Sequence, residues 1–300
     1  MLQVTKKLCK LNKMKQTKHD IKRLFLFAGY DKDGIIDDSL VYYVKHLSLF
    51  GDVVLFTDCD CSAQELDKVK SYCMYASAAR HGEYDFGSYK RAYLWATENL
   101  NLQDYDFVYL VNDSVYGPFF DLGKYFQKME SWNSDAFGMV DKIGGHGPHI
   151  QSWFIGMRPS VFLSAWFDEF IKSVKHEQKK SDVAVIYETG FSRKLNAHKI
   201  PYKCIYSVRG RGVYNKVRAL YNKKMPFMKK VAFIRHDGGL AGQIKYVLNH
   251  LSPELREIIL KSAYRVYGTD VVNGVLTRGR FANAIRKIKY ALKKVIKGQI

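Results

Sequence analysis

The sequence predicts an α/β protein: a mostly parallel sheet flanked by helices on both faces, with a helical C-terminal extension. Segments of strand and helix character alternate from residue 23 to residue 206, the order that builds parallel sheets. The strand segments are nearly continuous apolar runs, as strands buried on both faces are. With 300 residues, 47 % of them apolar and only 6 prolines, the chain can bury a full core and is neither disordered nor of low complexity.

Arg23-Leu-Phe-Leu-Phe-Ala28 reads as the first strand, followed by the loop Gly29–Gly34 and a helix that stops near Gly51. Asp52–Asp58 reads as the second strand, and Ser62 with Glu65 forms a capping box for the next helix. A short strand at 74–78 leads through Tyr84-Asp-Phe-Gly87 into a helix ending near Leu100. Asp106–Val111 is the clearest buried strand and runs into Asn112-Asp113-Ser114. A helix over 119–131, strands over 135–140 and 149–157, helices over 159–175 and 189–198, and a strand over 201–206 complete the series. Farther on, Ser252, Pro253 and Gly268 mark a helix as N-cap, first position and stop.

The formal charge of +19 is concentrated at the two ends. Residues 1–23 carry eight Lys and Arg against Asp20, and residues 278–300 carry eight with no acid, so residues 24–277 are close to balance. In 280–297 the apolar residues Phe281, Ile285, Ile288, Leu292 and Val295 form one stripe, with lysines and arginines on the remaining surface. That pattern suits a helix lying on an anionic membrane, or one docked on its own domain with its lysines in water. No apolar run reaches the roughly 18 residues of a spanning helix, and the basic N-terminus lacks the apolar core of a secretory signal. The five cysteines include no C-x-x-C pair, which suits thiols in a reducing cytosol.

Sheets of this kind bind ligands just beyond the carboxyl ends of their strands, so the residues there hold the chemistry. Asp113, between Asn112 and Ser114, can take one position on Mg²⁺ or Mn²⁺, or serve as a turn residue. In Glu83–Lys90, Gly87 allows close backbone approach to a ligand. Asp85 can accept from a base or ribose, or cap a helix. Tyr30-Asp-Lys-Asp33-Gly resembles part of a calcium loop, but Leu40 stands where the bidentate glutamate belongs. A surface turn or a nucleotide-facing loop remains. Alternation puts His149 and Gln151 on one strand face, where they can bond a sugar or be structural. Glu188, near a helix start, either favours the helix dipole or takes a proton from an attacking hydroxyl. His236 can ligate a metal, touch phosphate or sit in a plain turn.

Taken in order, YDKDGIID, YDFGSYK, VNDSVYGPF, HIQSWF and YETGFS resemble the rhamnan synthesis protein F family of bacterial polysaccharide glycosyltransferases. The likeness covers residues 23–206, with a weaker echo at PFMKK (226–230). The resemblance implies a GT-A-like, Rossmann-type α/β fold. The chain reads as a basic lead (1–22), a GT-A-like nucleotide-sugar transferase domain (23–215) and a C-terminal helical region ending in a basic amphipathic helix (216–300). The resemblance implies transfer of rhamnose, or another hexose such as galactofuranose, from a nucleotide-diphosphate sugar to a lipid-linked surface polysaccharide, with inversion. By the same resemblance Glu188 is the base and Asp113 holds Mn²⁺ or Mg²⁺, with His236, from the turn at 235–239, as the second expected ligand. Tyr30, Asp31, Asp33, Asp85, Gly87, Lys90, Asn112 and Ser114 face the donor, and His149, Gln151 and Ser152 face the acceptor. The usual motif of the wider GT-A superfamily has two acids where this chain has only Asp113. The expected location is cytoplasmic, peripheral on the inner face of a bacterial plasma membrane through residues 280–297. The rival readings are a non-catalytic assembly partner with a degenerate site and a nucleic-acid-binding protein. The terminal placement of the charge and the lack of a recognition motif argue against nucleic acid.

Overall fold

The structure, a computed structural model, describes residues 21–145, 147–235, 239–277 and 292. β1 (Arg23–Gly29), β2 (Asp52–Thr57), β3 (Tyr75–Ala78) and β4 (Phe107–Asn112) lie parallel in the order β3-β2-β1-β4. β5 (Val115–Tyr116) stands apart from them. β6 (Ala136–Ile143), β7 (His149–Ile150), β8 (Phe154–Met157) and β9 (Tyr202–Arg209) extend the sheet to eight strands. In this half β8 is antiparallel to β4 and β6, β7 is antiparallel to β6, and β9 is parallel to β6. The sheet is therefore mixed but mostly parallel on the side that carries the first strands.

Alternation along β1 shows why the sheet is covered twice. Leu24, Leu26 and Ala28 enter one core cluster with Tyr89 and Tyr93 of the helix Tyr84–Asn99. Phe25 and Phe27 enter another, with Tyr43 and Leu47 of the helix Asp38–Ser48. We label these helices α1 (Asp38–Ser48), α2 (Ala63–Lys70), α3 (Tyr84–Asn99) and α4 (Gly123–Glu130). After them come α5 (Pro159–Phe162), α6 (Ala165–Lys172), α7 (Lys180–Val183) and α8 (Thr189–Ala197). The C-terminal part holds α9 (Gly212–Asn215), α10 (Val217–Asn222), β10 (Met228–Lys229), α11 (Leu240–Asn249), α12 (Pro253–Tyr267) and α13 (Thr269–Thr277). β10 pairs antiparallel with β5, Lys229 opposite Val115. Tyr116 packs in a third core with Ile244 and Ile259, so this part is joined to the sheet through β5.

Several expected elements are interrupted. The strand expected over 149–157 is two strands, β7 and β8, with Gln151, Ser152 and Trp153 between them. The helix expected over 159–175 breaks at Leu163-Ser164, where Ser164 caps α6. The helix expected over 119–131 starts only at Gly123. The capping box at α2 forms by half. Ser62 accepts from the Glu65 N–H, but the Glu65 carboxylate reaches the Ile36 N–H and Lys68 instead. The segment 280–297 lies outside the described residues except for Leu292, as does the basic lead up to residue 20.

Candidate active site

β1 lies between β2 and β4, and the chain leaves it toward β2 on one side and returns at β4 on the other. The crevice beyond the carboxyl ends of β1 and β4 is thus a topological switch point. Ala28 is in register with Asn112, and the Asp113 N–H donates to the Ala28 carbonyl at 3.1 Å. This places Asp113 beside the Tyr30–Asp33 loop, as the sequence order requires of a shared site.

The polar side chains here form a chain of contacts. Asn112 donates from Nδ2 to Asp85 Oδ2 at 3.0 Å, and its Oδ1 accepts from the Ser114 N–H at 3.1 Å and the Ser114 hydroxyl at 2.6 Å. Lys229 Nζ donates to Ser114 Oγ at 2.8 Å and lies 5.1 Å from the centre of the Trp153 ring. Lys230 Nζ lies 3.5 Å from Asp113 Oδ2, and its backbone N–H donates to the Ser114 carbonyl. Burial, the largest influence, lowers the Lys230 ammonium, but Asp113 and Asp37 outweigh it and hold it above its ordinary value. Burial likewise dominates at Asp113 and raises its carboxyl, against Lys230, which lowers it.

A second group closes the other side of the crevice. Glu188 Oε2 accepts from the Ser152 N–H at 3.2 Å and the Ser152 hydroxyl at 2.7 Å, and His149 Nε2 lies 3.3 Å from Glu188 Oε1. Burial acts most strongly on Glu188, raising its carboxyl, yet His149, Ser152 and Lys229 together bring it down to about 2. His149 Nδ1 faces the Gly147 carbonyl, so both ring nitrogens face oxygen acceptors. The Asn112 N–H donates to the Trp153 carbonyl, and Tyr89 donates its hydroxyl to the Ser152 carbonyl. These bonds tie the β7–β8 break to the end of β4. The break thus brings Ser152 and Glu188 to the same strand end as Asn112.

Other predicted residues are committed elsewhere. Tyr30 is about half exposed at the loop. Asp31 accepts from the Asp33 and Ile35 N–H groups and from Arg265 Nη2 at 2.6 Å, so the α12 side chain clamps the loop. Asp33 lies 3.9 Å from Arg265. Gly87 does not open a path to a ligand: a Cβ there would fall 2.3 Å from Glu83 Cβ and 2.7 Å from the His81 ring. Lys90 bonds Glu83 and the Val174 carbonyl rather than a group in the crevice. Gln151 accepts from the Trp153 indole N–H at 3.1 Å and is buried. Its Oε1 therefore already has a donor. His236 lies outside the described residues.

Sequence reasoning missed Asp37, Lys229, Lys230 and Arg265. Asp37 caps α1 and accepts from Ser262 at 2.6 Å and Arg265 at 3.0 Å. Burial would raise its carboxyl, but Lys230, Ser262, Ser39 and Arg265 hold it well below the carboxylate range. The PFMKK run contained both lysines, and their role shows only through β10–β5 pairing.

A divalent ion of the Mg²⁺ or Mn²⁺ type takes one or two carboxylates in an octahedron of oxygens. The described residues here do not fit one. Asp113 is the one carboxylate directly after β4, and its Oδ2 faces an ammonium. Asn112 Oδ1 and Ser114 Oγ already accept from N–H or O–H groups, and Asp37 Oδ2 accepts from Ser262 and Arg265. Among the described residues, no group of three or more His, Cys, Asp or Glu is arranged to hold a metal.

A family model described as rhamnan synthesis protein F matches residues 53–287. The match extends past residue 206 and takes in Lys229, Lys230 and Arg265. No curated protein sequence matches. Similar solved structures include the glycosyltransferase GlyE of Streptococcus pneumoniae TIGR4, at 14 % identity over 86 % of this chain and 64 % of that one, TM-score 0.44. S. aureus TarS 1-349 is similar at 13 % identity over 85 % and 90 %, TM-score 0.34. Core-mannan synthase A of Aspergillus fumigatus, in a Mn/GDP form, is similar at 11 % identity over 62 % and 73 %, TM-score 0.37. The mostly parallel α/β sheet flanked by helices that the sequence predicts is the one the chain has.

Proposed function

We propose, from the premise that the chain belongs to the rhamnan synthesis protein F family of glycosyltransferases, that it moves a sugar from a nucleotide-diphosphate donor to a lipid-linked bacterial glycan. The sugar in this reading is rhamnose or another hexose such as galactofuranose, and the transfer inverts the anomeric centre. One observation carries it: Asn112, Ser114, Ser152, Glu188, Lys229 and Lys230, from segments far apart in sequence, converge at the switch point beyond β1 and β4.

The chemistry follows from that placement. The acceptor hydroxyl oxygen bonds to the anomeric carbon while the bond from that carbon to the diphosphate oxygen breaks, through an oxocarbenium-like state. Glu188, ionised throughout the neutral range, receives the hydroxyl proton. Ser152, through its N–H and its hydroxyl, holds the carboxylate in place beside the crevice. Tyr30 and the Asp31–Asp33 loop, steadied by Arg265, flank the nucleotide. Residues 280–297, with their basic surface, keep the enzyme at the cytoplasmic leaflet where the acceptor resides.

The test is release of nucleoside diphosphate from a panel of UDP-, dTDP- and GDP-sugars, with membrane lipid extract as acceptor source. One donor is consumed by the wild type, and Glu188→Gln lowers kcat by roughly 100-fold or more while keeping its fold. If Glu188→Gln keeps most of its kcat, Glu188 is not the base. If the wild type consumes no donor, the chain is not a transferase of this class.

A further inference from the structure

We infer that Lys230, seated between Asp113 and Asp37, together with Lys229 on Ser114, takes the diphosphate of the donor in place of a divalent metal ion. This deepens the transferase reading and rests on it. The position is the first argument. β10 pairs with β5, Lys229 lies opposite Val115, and the Lys230 N–H donates to the Ser114 carbonyl at 3.0 Å. The backbone thus fixes both lysines against the residues that directly follow β4, where a metal ion was expected.

The charge pattern is the second argument. Asp37 already faces Arg265 at 3.0 Å and Ser262 at 2.6 Å, so Lys230 is not needed to satisfy it. Lys230 reaches Asp113 only at 3.5 Å, the outer limit of a hydrogen bond. An ammonium has three donors, and this contact uses one at most. The side chains of Lys230 and Asp113 remain 13 % and 12 % exposed, enough to meet a ligand from one side. A cation fixed at such a partly dry place stabilises developing negative charge more than it would in water, and with no reorganisation. When the anomeric bond breaks, its electron pair goes to the diphosphate oxygen, and the two ammonium groups neutralise that charge. In this account Asp113 aims Lys230 and ligates nothing.

The experiment is calorimetric titration of the full-length protein, stripped with EDTA, with UDP, dTDP and GDP, in EDTA and again in Mn²⁺. The same nucleotide is expected to bind with the same Kd in both. Lys230→Gln weakens it at least about tenfold. Lys229→Gln, which keeps Asp113 and Lys230 in place, is expected to weaken binding in EDTA as well and serves even if Lys230→Gln does not fold. Binding that appears only with Mn²⁺ and vanishes in Asp113→Asn would overturn the inference and leave the transferase reading standing. Binding of no diphosphate in either condition would overturn both.

Discussion

Glu188 is ionised far below neutrality because Ser152 donates twice to one of its oxygens and His149 faces the other. A carboxyl whose folded value is depressed from 4.5 to about 2 contributes stability that is complete above 4.5 and is lost as pH falls toward 2. Removing the Ser152 hydroxyl brings the folded value back toward 4.5. Ser152→Ala is therefore expected to melt below wild type at neutral pH, with the gap narrowing as the pH is lowered through that window. A gap that stays constant would mean that Ser152 stabilises the fold by another route. At the opposite end of β1, Arg23 makes two bonds of 2.6 and 2.7 Å to Glu130, which also accepts from Tyr109 at 2.7 Å. Both charged side chains are largely buried, so Arg23→Ala strands the Glu130 carboxylate and is expected to destabilise by about 3–5 kcal/mol. Chemical denaturation measures it. Nucleotide affinity in that variant is expected to be unchanged, since Arg23 lies at the amino end of the strand, away from the crevice.

The helix α12 carries two kinds of side chain whose loss has different consequences. Ser252 caps its first turn through the Leu255 N–H, and Ser252→Ala is expected to cost about 1 kcal/mol with no change in turnover. Arg265, near its other end, binds Asp31 and Asp37 of the loop after β1. Arg265→Gln is expected to speed hydrogen exchange at the Asp33 and Ile35 amides, which donate to Asp31, and to raise the KM for the donor. Exchange rates equal to wild type would show that the loop holds its shape alone. The strands β1, β2 and β4 were legible because their signal is local: an apolar run ending at a polar turn. The break between β7 and β8 was not. Its cause lies in bonds from Asn112, Tyr89 and Glu188, none adjacent in sequence. Ser164, by contrast, was a readable cap inside the segment taken as one helix.

The site is assembled by the whole chain. Asn112 and Asp113 come from the middle, Glu188 from beyond the sheet's antiparallel half, and Lys229, Lys230 and Arg265 from the C-terminal part. Five of the residues named for the donor or acceptor lie in two groups, Asp85-Asn112-Ser114 and His149-Ser152 with Glu188, tied by the bond from the Asn112 N–H to the Trp153 carbonyl. The cations stayed hidden because Lys230 meets Asp113, and Arg265 meets Asp31, only once the third core has packed on β5. A division at residue 215 therefore cuts through the residues proposed to act together. The basic segment is a separate matter. Deleting residues 278–300 removes eight Lys and Arg and no acid. The shortened protein is expected to turn over donor in detergent but to lose sedimentation with phosphatidylglycerol vesicles at physiological salt. Unchanged sedimentation would place the membrane contact elsewhere.

Donor binding in the crevice beyond β1 and β4 can be seen outright in a crystal structure with the bound nucleoside diphosphate. The diphosphate is expected within hydrogen-bond distance of Lys229 and Lys230, with the nucleoside against Tyr30. A diphosphate bound instead in the groove lined by Leu248, Leu251, Leu260 and Tyr264 would contradict it.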